Sequence, residues 1–220
     1  MKVSQKIIFV EAAVFIALIL LSTYHFALCD AATVVVGFTV AYLVPRFAYS
    51  RMSNCSTMGV AALSWAWLVM GVLGINYIAR ATVCVDASLS QPALWNDAAR
   101  YYNYALQLFH HHSTGNAVDP FPGLPLLTVL LWKVFGISIV PPLAMNMMLT
   151  LATIVLTGSL ASSLLDGRTS MSRRQVAWLA MAMTATLFFF QSHGTQMLKE
   201  PLTYFGVMLC ALALASLTRL

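Results

Sequence analysis

The amino-acid sequence predicts an all-α membrane protein that crosses the bilayer several times. Of its 220 residues, 60% are hydrophobic and only 9% are charged, whereas soluble domains carry about 25% charged residues. The mean hydropathy is +0.81, and apolar runs of the length that spans a bilayer as a helix recur along the chain. These observations exclude an ordinary soluble domain, a disordered chain and a scaffold held by disulfides.

Six apolar runs are predicted to be membrane-spanning helices within one domain, residues 1–220. The first run follows Lys2 and Lys6, and it is too long for the core of a cleavable signal peptide. The second stops at Pro45 and the third ends at Arg80, while the other three follow a long polar loop. The predicted spans are 7–28, 31–45, 59–79, 139–165, 176–191 and 201–217.

The polar loop, residues 80–138, is predicted to carry two helices that do not cross the bilayer. The first covers 96–112, because Asn96 is a favourable N-cap and neither Gly nor Pro follows until Gly115. Its amphipathic, aromatic-rich sequence is typical of a helix at the membrane surface.

One face of this helix combines charged and aromatic groups. Counting at helical spacing from Asp97 places Arg100, Tyr101 and Tyr104 beside it. On the local pattern alone, Asp97 favours the positive helix N-terminus and pairs with Arg100, which is a structural role.

The second helix of the loop, residues 124–135, is apolar but short, and is predicted to be interfacial or re-entrant. If it does not cross, eight Lys and Arg residues lie on the cytoplasmic side and four lie outside, as the preference of positive charge for the cytoplasm requires. Both termini are then cytoplasmic, and the loop 80–138 shares the outer face with the polar segment 191–200. The four external cations are Arg80, Arg100, Lys133 and Lys199.

Three short motifs follow one another in this half of the chain. They read WNDAARYYNYA from Trp95, DPFPGLP from Asp119 and LWKVFG from Leu131. Their order resembles the first external loop of the GT-C glycosyltransferases, polytopic enzymes that take a sugar from a polyprenyl phosphate. In that superfamily, which includes aminoarabinose transferases and protein O-mannosyltransferases, an acid with a nearby Tyr precedes a Pro/Gly-rich stretch and a short helix ending in Phe-Gly. The resemblance extends to Leu217.

The resemblance implies roles for particular residues. Asp97 corresponds to the family's first-loop acid, the catalytic base, and Glu200 stands where the family often places a second acid. The resemblance leaves open whether Glu200 positions the acceptor or helps Asp97 to bind a divalent cation, Mg²⁺ or Mn²⁺, and it makes no cofactor certain. The residues expected to bind substrate are Arg100, Tyr101, Lys199 and His193.

The implied function is transfer of a sugar from a polyprenyl-phosphate donor to an envelope glycan, lipid or protein. It would occur at the outer face of a bacterial cytoplasmic membrane. Two features depart from the family: the acidic loop follows the third span, which still leaves it facing outward, and the chain is short. The short length predicts an N-terminal fragment, a truncated gene product or half of a split enzyme, the last with a C-terminal partner chain. A non-catalytic membrane subunit or small transporter is the alternative. Nucleic acid is not an expected partner, because the net charge of +5 is distributed over short loops.

Overall fold

A computed structural model of the protein describes residues 57–83, 96–110, 123–165, 170–187 and 192–217. All secondary-structure elements in these ranges are α-helices, which confirms the predicted all-α class for this part of the chain. The predicted spans 7–28 and 31–45 lie outside the described residues. The helices are α1 (Thr57–Val83), α2 (Asn96–Phe109), α3 (Gly123–Phe135), α4 (Val140–Leu164), α5 (Arg173–Thr186) and α6 (Glu200–Leu217).

Helix α4 is the centre of the packing, because it contacts α1, α3, α5 and α6. Pro141 and Pro142 are accommodated in its first turn, where the missing backbone N–H has no helical partner to lose. The hydroxyls of Thr150 and Thr153 donate to carbonyls four residues earlier, so these buried side chains are satisfied within the helix. The core around α4 contains Trp67, Met70, Leu143, Met147, Leu151, Ile154 and Met181.

Helix α5 begins before the predicted start of its span at 176, because Ser172 and Gln175 form a capping box at its N-terminus. It ends at Thr186, where Leu187 takes an extended conformation, and 188–191 lie outside the described residues. Fourteen residues make a helix of about 21 Å, which is shorter than the bilayer core of about 30 Å. By this measure a crossing at this point needs residues beyond α5 as well.

Two helices in the described ranges, α4 and α6, are long and apolar enough to cross a membrane, judged by length and composition. They differ in packing. In the most apolar part of α4, 61% of the residues are buried, whereas in that of α6 only 6% are buried. Pro201 is the one buried residue of α6. Helix α6 therefore presents apolar side chains outward, including Val207, Leu214 and Leu217. Such a surface is typical of contact with lipid or other apolar partners.

Helix α3 is apolar on two opposite faces. Leu124, Thr128 and Trp132 are buried, while Leu126 and Leu130 are 50% and 59% exposed. Its 13 residues extend about 20 Å, which is too short to span a bilayer. The helix lies where the short segment 124–135 is predicted, with one face on the protein and the other outward.

Replacing Gly158 with Ala is expected to lower the free energy of unfolding by about 1–3 kcal/mol, the usual range for overpacking. A Cβ at this position would lie 2.6 Å from Met181 Cγ and 3.0 Å from the Ala177 carbonyl oxygen, so α4 and α5 would have to separate. Thermal unfolding of the reconstituted protein followed by circular dichroism measures the effect.

The matched control is Gly206→Ala, since Gly206 is also a helix-interior glycine, but a Cβ added to it would meet nothing within 4 Å. Ala has the higher helix propensity, so this change is expected to be neutral or to stabilise by up to about 1 kcal/mol. Equal destabilisation by both changes would rule out the close approach of α4 and α5 as the cause.

Candidate functional site

The first turn of α2 places its predicted residues in different environments. Asp97 and Arg100 are exposed on the surface. Tyr101 is 4% exposed and packs in an apolar cluster, as does Tyr102. The structure therefore gives Tyr101 a packing position rather than an open surface. The helix begins at Asn96, as predicted, and ends at Phe109, before the predicted end at 112. His111 and His112 lie outside the described residues.

The apolar cluster fixes α2 against α3. Tyr102 and Phe109 approach Trp132 edge-on, with ring centroids 5.1 and 6.1 Å away. Trp132 Nε1 donates a hydrogen bond of 2.6 Å to the Ser138 carbonyl, so the buried indole has its polar atom satisfied. The buried members of this aromatic cluster are Ala98, Tyr101, Tyr102, Ala105, Leu124, Trp132 and Met197.

Met197 connects this aromatic cluster to the loop before α6. It is fully buried and lies three residues before Glu200, while Ala98 of the same cluster follows Asp97 directly. The segments that carry the two predicted acids therefore pack on one apolar cluster. Sequence spacing gives no signal for this shared packing, because the two segments are about a hundred residues apart.

Asn146 on α4 holds the loop 192–199 in place. Its buried amide Nδ2 donates to the Gln196 carbonyl at 2.7 Å and to the Leu198 carbonyl at 2.9 Å. Gly194 lies so close to α4 that an added Cβ would be 2.5 Å from Thr150 Oγ1. A lone Asn in an apolar span predicts a hydrogen bond between segments, but the sequence does not indicate that its partner is this loop.

Glu200 starts α6 directly after Lys199, and both side chains are half-buried. Pro201 occupies the first turn, where proline suits a helix. Glu200 Oε2 is buried and has no hydrogen-bond partner among the residues that the structure describes. A buried oxygen without a donor is costly, so this atom marks a place where a donor from a ligand would be favourable.

His193 and Tyr204 meet beside this first turn. His193 Nδ1 lies 3.2 Å from the Tyr204 hydroxyl, and the two rings stack with centroids 6.2 Å apart. His193 is a predicted substrate-binding residue, whereas Tyr204 is not among the predicted site residues. Its position four residues after Glu200, on the same helix face, is the signal that could have indicated it.

The described residues contain no group of three or more His, Cys, Asp and Glu side chains that could hold a metal ion. Asp97 and Glu200 offer the hard oxygen ligands that Mg²⁺ prefers, but they would need further ligands to complete a site. No family model, curated protein or solved structure matches this chain.

Proposed function

We propose that this chain carries the outer-face catalytic site of a GT-C-like glycosyltransferase. It would transfer a sugar from a polyprenyl phosphate to an acceptor of the cell envelope, at the outer face of the bacterial cytoplasmic membrane. The observation that carries this proposal is the shared packing of Ala98 and Met197 in the aromatic cluster. Through that packing the segments that bear Asp97 and Glu200 border the same cluster.

The proposed reaction balances with these groups. Asp97 takes the proton of the acceptor hydroxyl, whose oxygen then forms a bond to the anomeric carbon of the sugar. The bond from that carbon to the phosphate oxygen breaks, and polyprenyl phosphate leaves with the electron pair. Arg100 and Lys199 supply positive charge for the departing phosphate, with Arg offering two-point geometry. Glu200 positions the acceptor.

The outward apolar surfaces support the membrane part of the proposal. Helix α6 exposes Val207, Leu214 and other apolar side chains, and α3 exposes Leu126 and Leu130 opposite its buried face. We infer a multi-pass chain with both termini in the cytoplasm and with α3 at the outer membrane surface. In this arrangement α3 would leave lateral access for the prenyl tail of the donor.

The direct test is a transfer assay with the full chain in proteoliposomes, supplied with polyprenyl-phosphate-linked hexoses and pentoses and an envelope extract as the acceptor. Release of polyprenyl phosphate that depends on the acceptor is the expected result. Failure to consume any donor, in preparations whose fold is intact by circular dichroism, would reject this function and favour a non-catalytic subunit or transporter.

Cysteine labelling in intact cells is expected to place the two ends of the helical core on opposite sides of the membrane. In a chain whose four native cysteines are replaced by Ser, Asn103→Cys on α2 should react with a membrane-impermeant maleimide. Ser172→Cys, before α5, should react only after permeabilisation. Both positions are exposed, so accessibility is decided by the membrane. Labelling of both from outside would contradict the proposed topology.

A further inference from the structure

Three polar side chains of different chemistry lie around the first turn of α6, and we call them the α6 polar group: His193, Glu200 and Tyr204. Glu200 and Tyr204 share a helix face because they are four residues apart. Long helical side chains lean toward the helix N-terminus, which directs Tyr204 toward the turn of Glu200. His193 is held over Tyr204 by the 3.2 Å contact and the ring stacking. All three residues are half-buried, so part of each side chain is open to a ligand.

The chemistry of the α6 polar group restricts its ligand. An ionised carboxylate only accepts hydrogen bonds, and Glu200 Oε2 is buried with no donor among the described residues. A phosphate oxygen would be repelled by this carboxylate, whereas a hydroxyl can donate to the carboxylate. Because Nδ1 of His193 faces Tyr204, Nε2 is the ring nitrogen that remains to contact the same ligand.

The tautomer of His193 makes this second contact adaptable. In a neutral imidazole one nitrogen donates and the other accepts, and the Tyr204 hydroxyl can take either role toward Nδ1. Nε2 can therefore donate to a hydroxyl oxygen or accept from a hydroxyl group. Two adjacent sugar hydroxyls, each of which both donates and accepts, could bind the Glu200 carboxylate and His193 Nε2 together.

We propose that the α6 polar group is a binding subsite for the hydroxyl groups of a sugar acceptor. Glu200 accepts a hydrogen bond from one hydroxyl, His193 Nε2 contacts its neighbour, and Tyr204 is a positioning residue that orients the imidazole. This inference deepens the proposed function and rests on it, because it names the acceptor as a sugar. Asn146 keeps the loop that carries His193 against α4.

The experiment uses octyl β-D-glucoside as the sugar probe and 1-octanol, with the same alkyl chain, as the control ligand. The full chain contains 3-fluorotyrosine and is held in phosphatidylcholine nanodiscs, and the Tyr204 fluorine signal is identified by its loss in Tyr204→Phe. We expect a saturable shift of this signal with the glucoside and none with octanol or dodecyl phosphate.

Glu200→Gln preserves the shape of the side chain, and His193→Ala removes the imidazole. Each is expected to weaken glucoside binding about tenfold or more, as loss of a hydrogen bond to a charged or buried group does. Thr203→Val is the matched control: Thr203 is exposed on the same turn and its hydroxyl bonds the Lys199 carbonyl, so the affinity should not change.

Absence of a saturable shift, an equal response to octanol or dodecyl phosphate, or unaltered affinity in Glu200→Gln would overturn the subsite. These results are separable from those of the transfer assay. Glucoside binding without donor consumption leaves the subsite standing and removes the glycosyltransferase function. If transfer persists with the same acceptor KM in Glu200→Gln and His193→Ala, the glycosyltransferase function stands and the subsite is removed.

Discussion

Replacing Asp97 with Asn is expected to lower the rate of sugar transfer by about 10²- to 10⁴-fold, the usual contribution of a general base. The amide has the size of the carboxylate but cannot take the acceptor proton. Asp97 is exposed on α2, and exposed substitutions usually change the free energy of unfolding by less than about 0.5 kcal/mol. Release of polyprenyl phosphate should therefore fall while thermal unfolding stays the same.

The control for this prediction is Asn103→Ala, which removes another exposed polar side chain from α2. Asn103 lies six residues after Asp97, and at about 100° per residue the two side chains point about 120° apart. Transfer should continue at the original rate in this variant. If Asp97→Asn were equally active, Asp97 would not be the base, and α2 would have only its packing role.

Replacing Asn146 with Leu is expected to lower the free energy of unfolding by about 1–3 kcal/mol, because two part-buried carbonyls lose their donor at once. The Gln196 and Leu198 carbonyls both bond to Asn146 Nδ2, and Leu has a similar volume but no N–H group. Chemical denaturation measures the stability. Hydrogen exchange should show faster exchange in the loop 192–199, and transfer should decline because this loop precedes Glu200.

Thr153→Val tests whether this effect belongs to the loop or to any buried polar residue of α4. Thr153 is also buried, but its hydroxyl donates to the Leu149 carbonyl of its own helix. After the change this carbonyl still accepts the backbone N–H of the helix. We expect a loss below about 1 kcal/mol and unaltered exchange in 192–199. Similar exchange in the two variants would contradict the holding role of Asn146.

Several helices can be predicted from the sequence, because their starts and ends depend on local chemistry. The start of α2 follows from Asn96 and from the run without Gly or Pro after it. The short apolar segment ending in Phe135 and Gly136 predicts α3, which ends where Gly136 takes a φ of 85°. Hydropathy alone places the start of α5 too late, because it ignores the capping box of Ser172 and Gln175.

The sequence predicts only part of the candidate site. Motif order indicates Asp97 and Glu200, and a polar segment indicates His193. Tyr101 shares the helical face of Asp97, but the structure packs its ring in the aromatic cluster. Helical spacing gives the direction of a side chain from its axis and cannot tell which neighbouring element covers that direction. Tyr204 escapes prediction for the same reason, since its partner His193 lies outside α6.

The sequence by itself determined the all-helical class and the start of α2, because hydropathy and capping act over a few consecutive residues. Only the tertiary structure decided that Met197 joins the aromatic cluster of α2 and α3, and that Asn146 bonds the loop before α6. Contacts between segments distant along the chain depend on how complete helices pack. That packing balances burial and polar satisfaction over the whole assembly, so no short stretch of sequence encodes it.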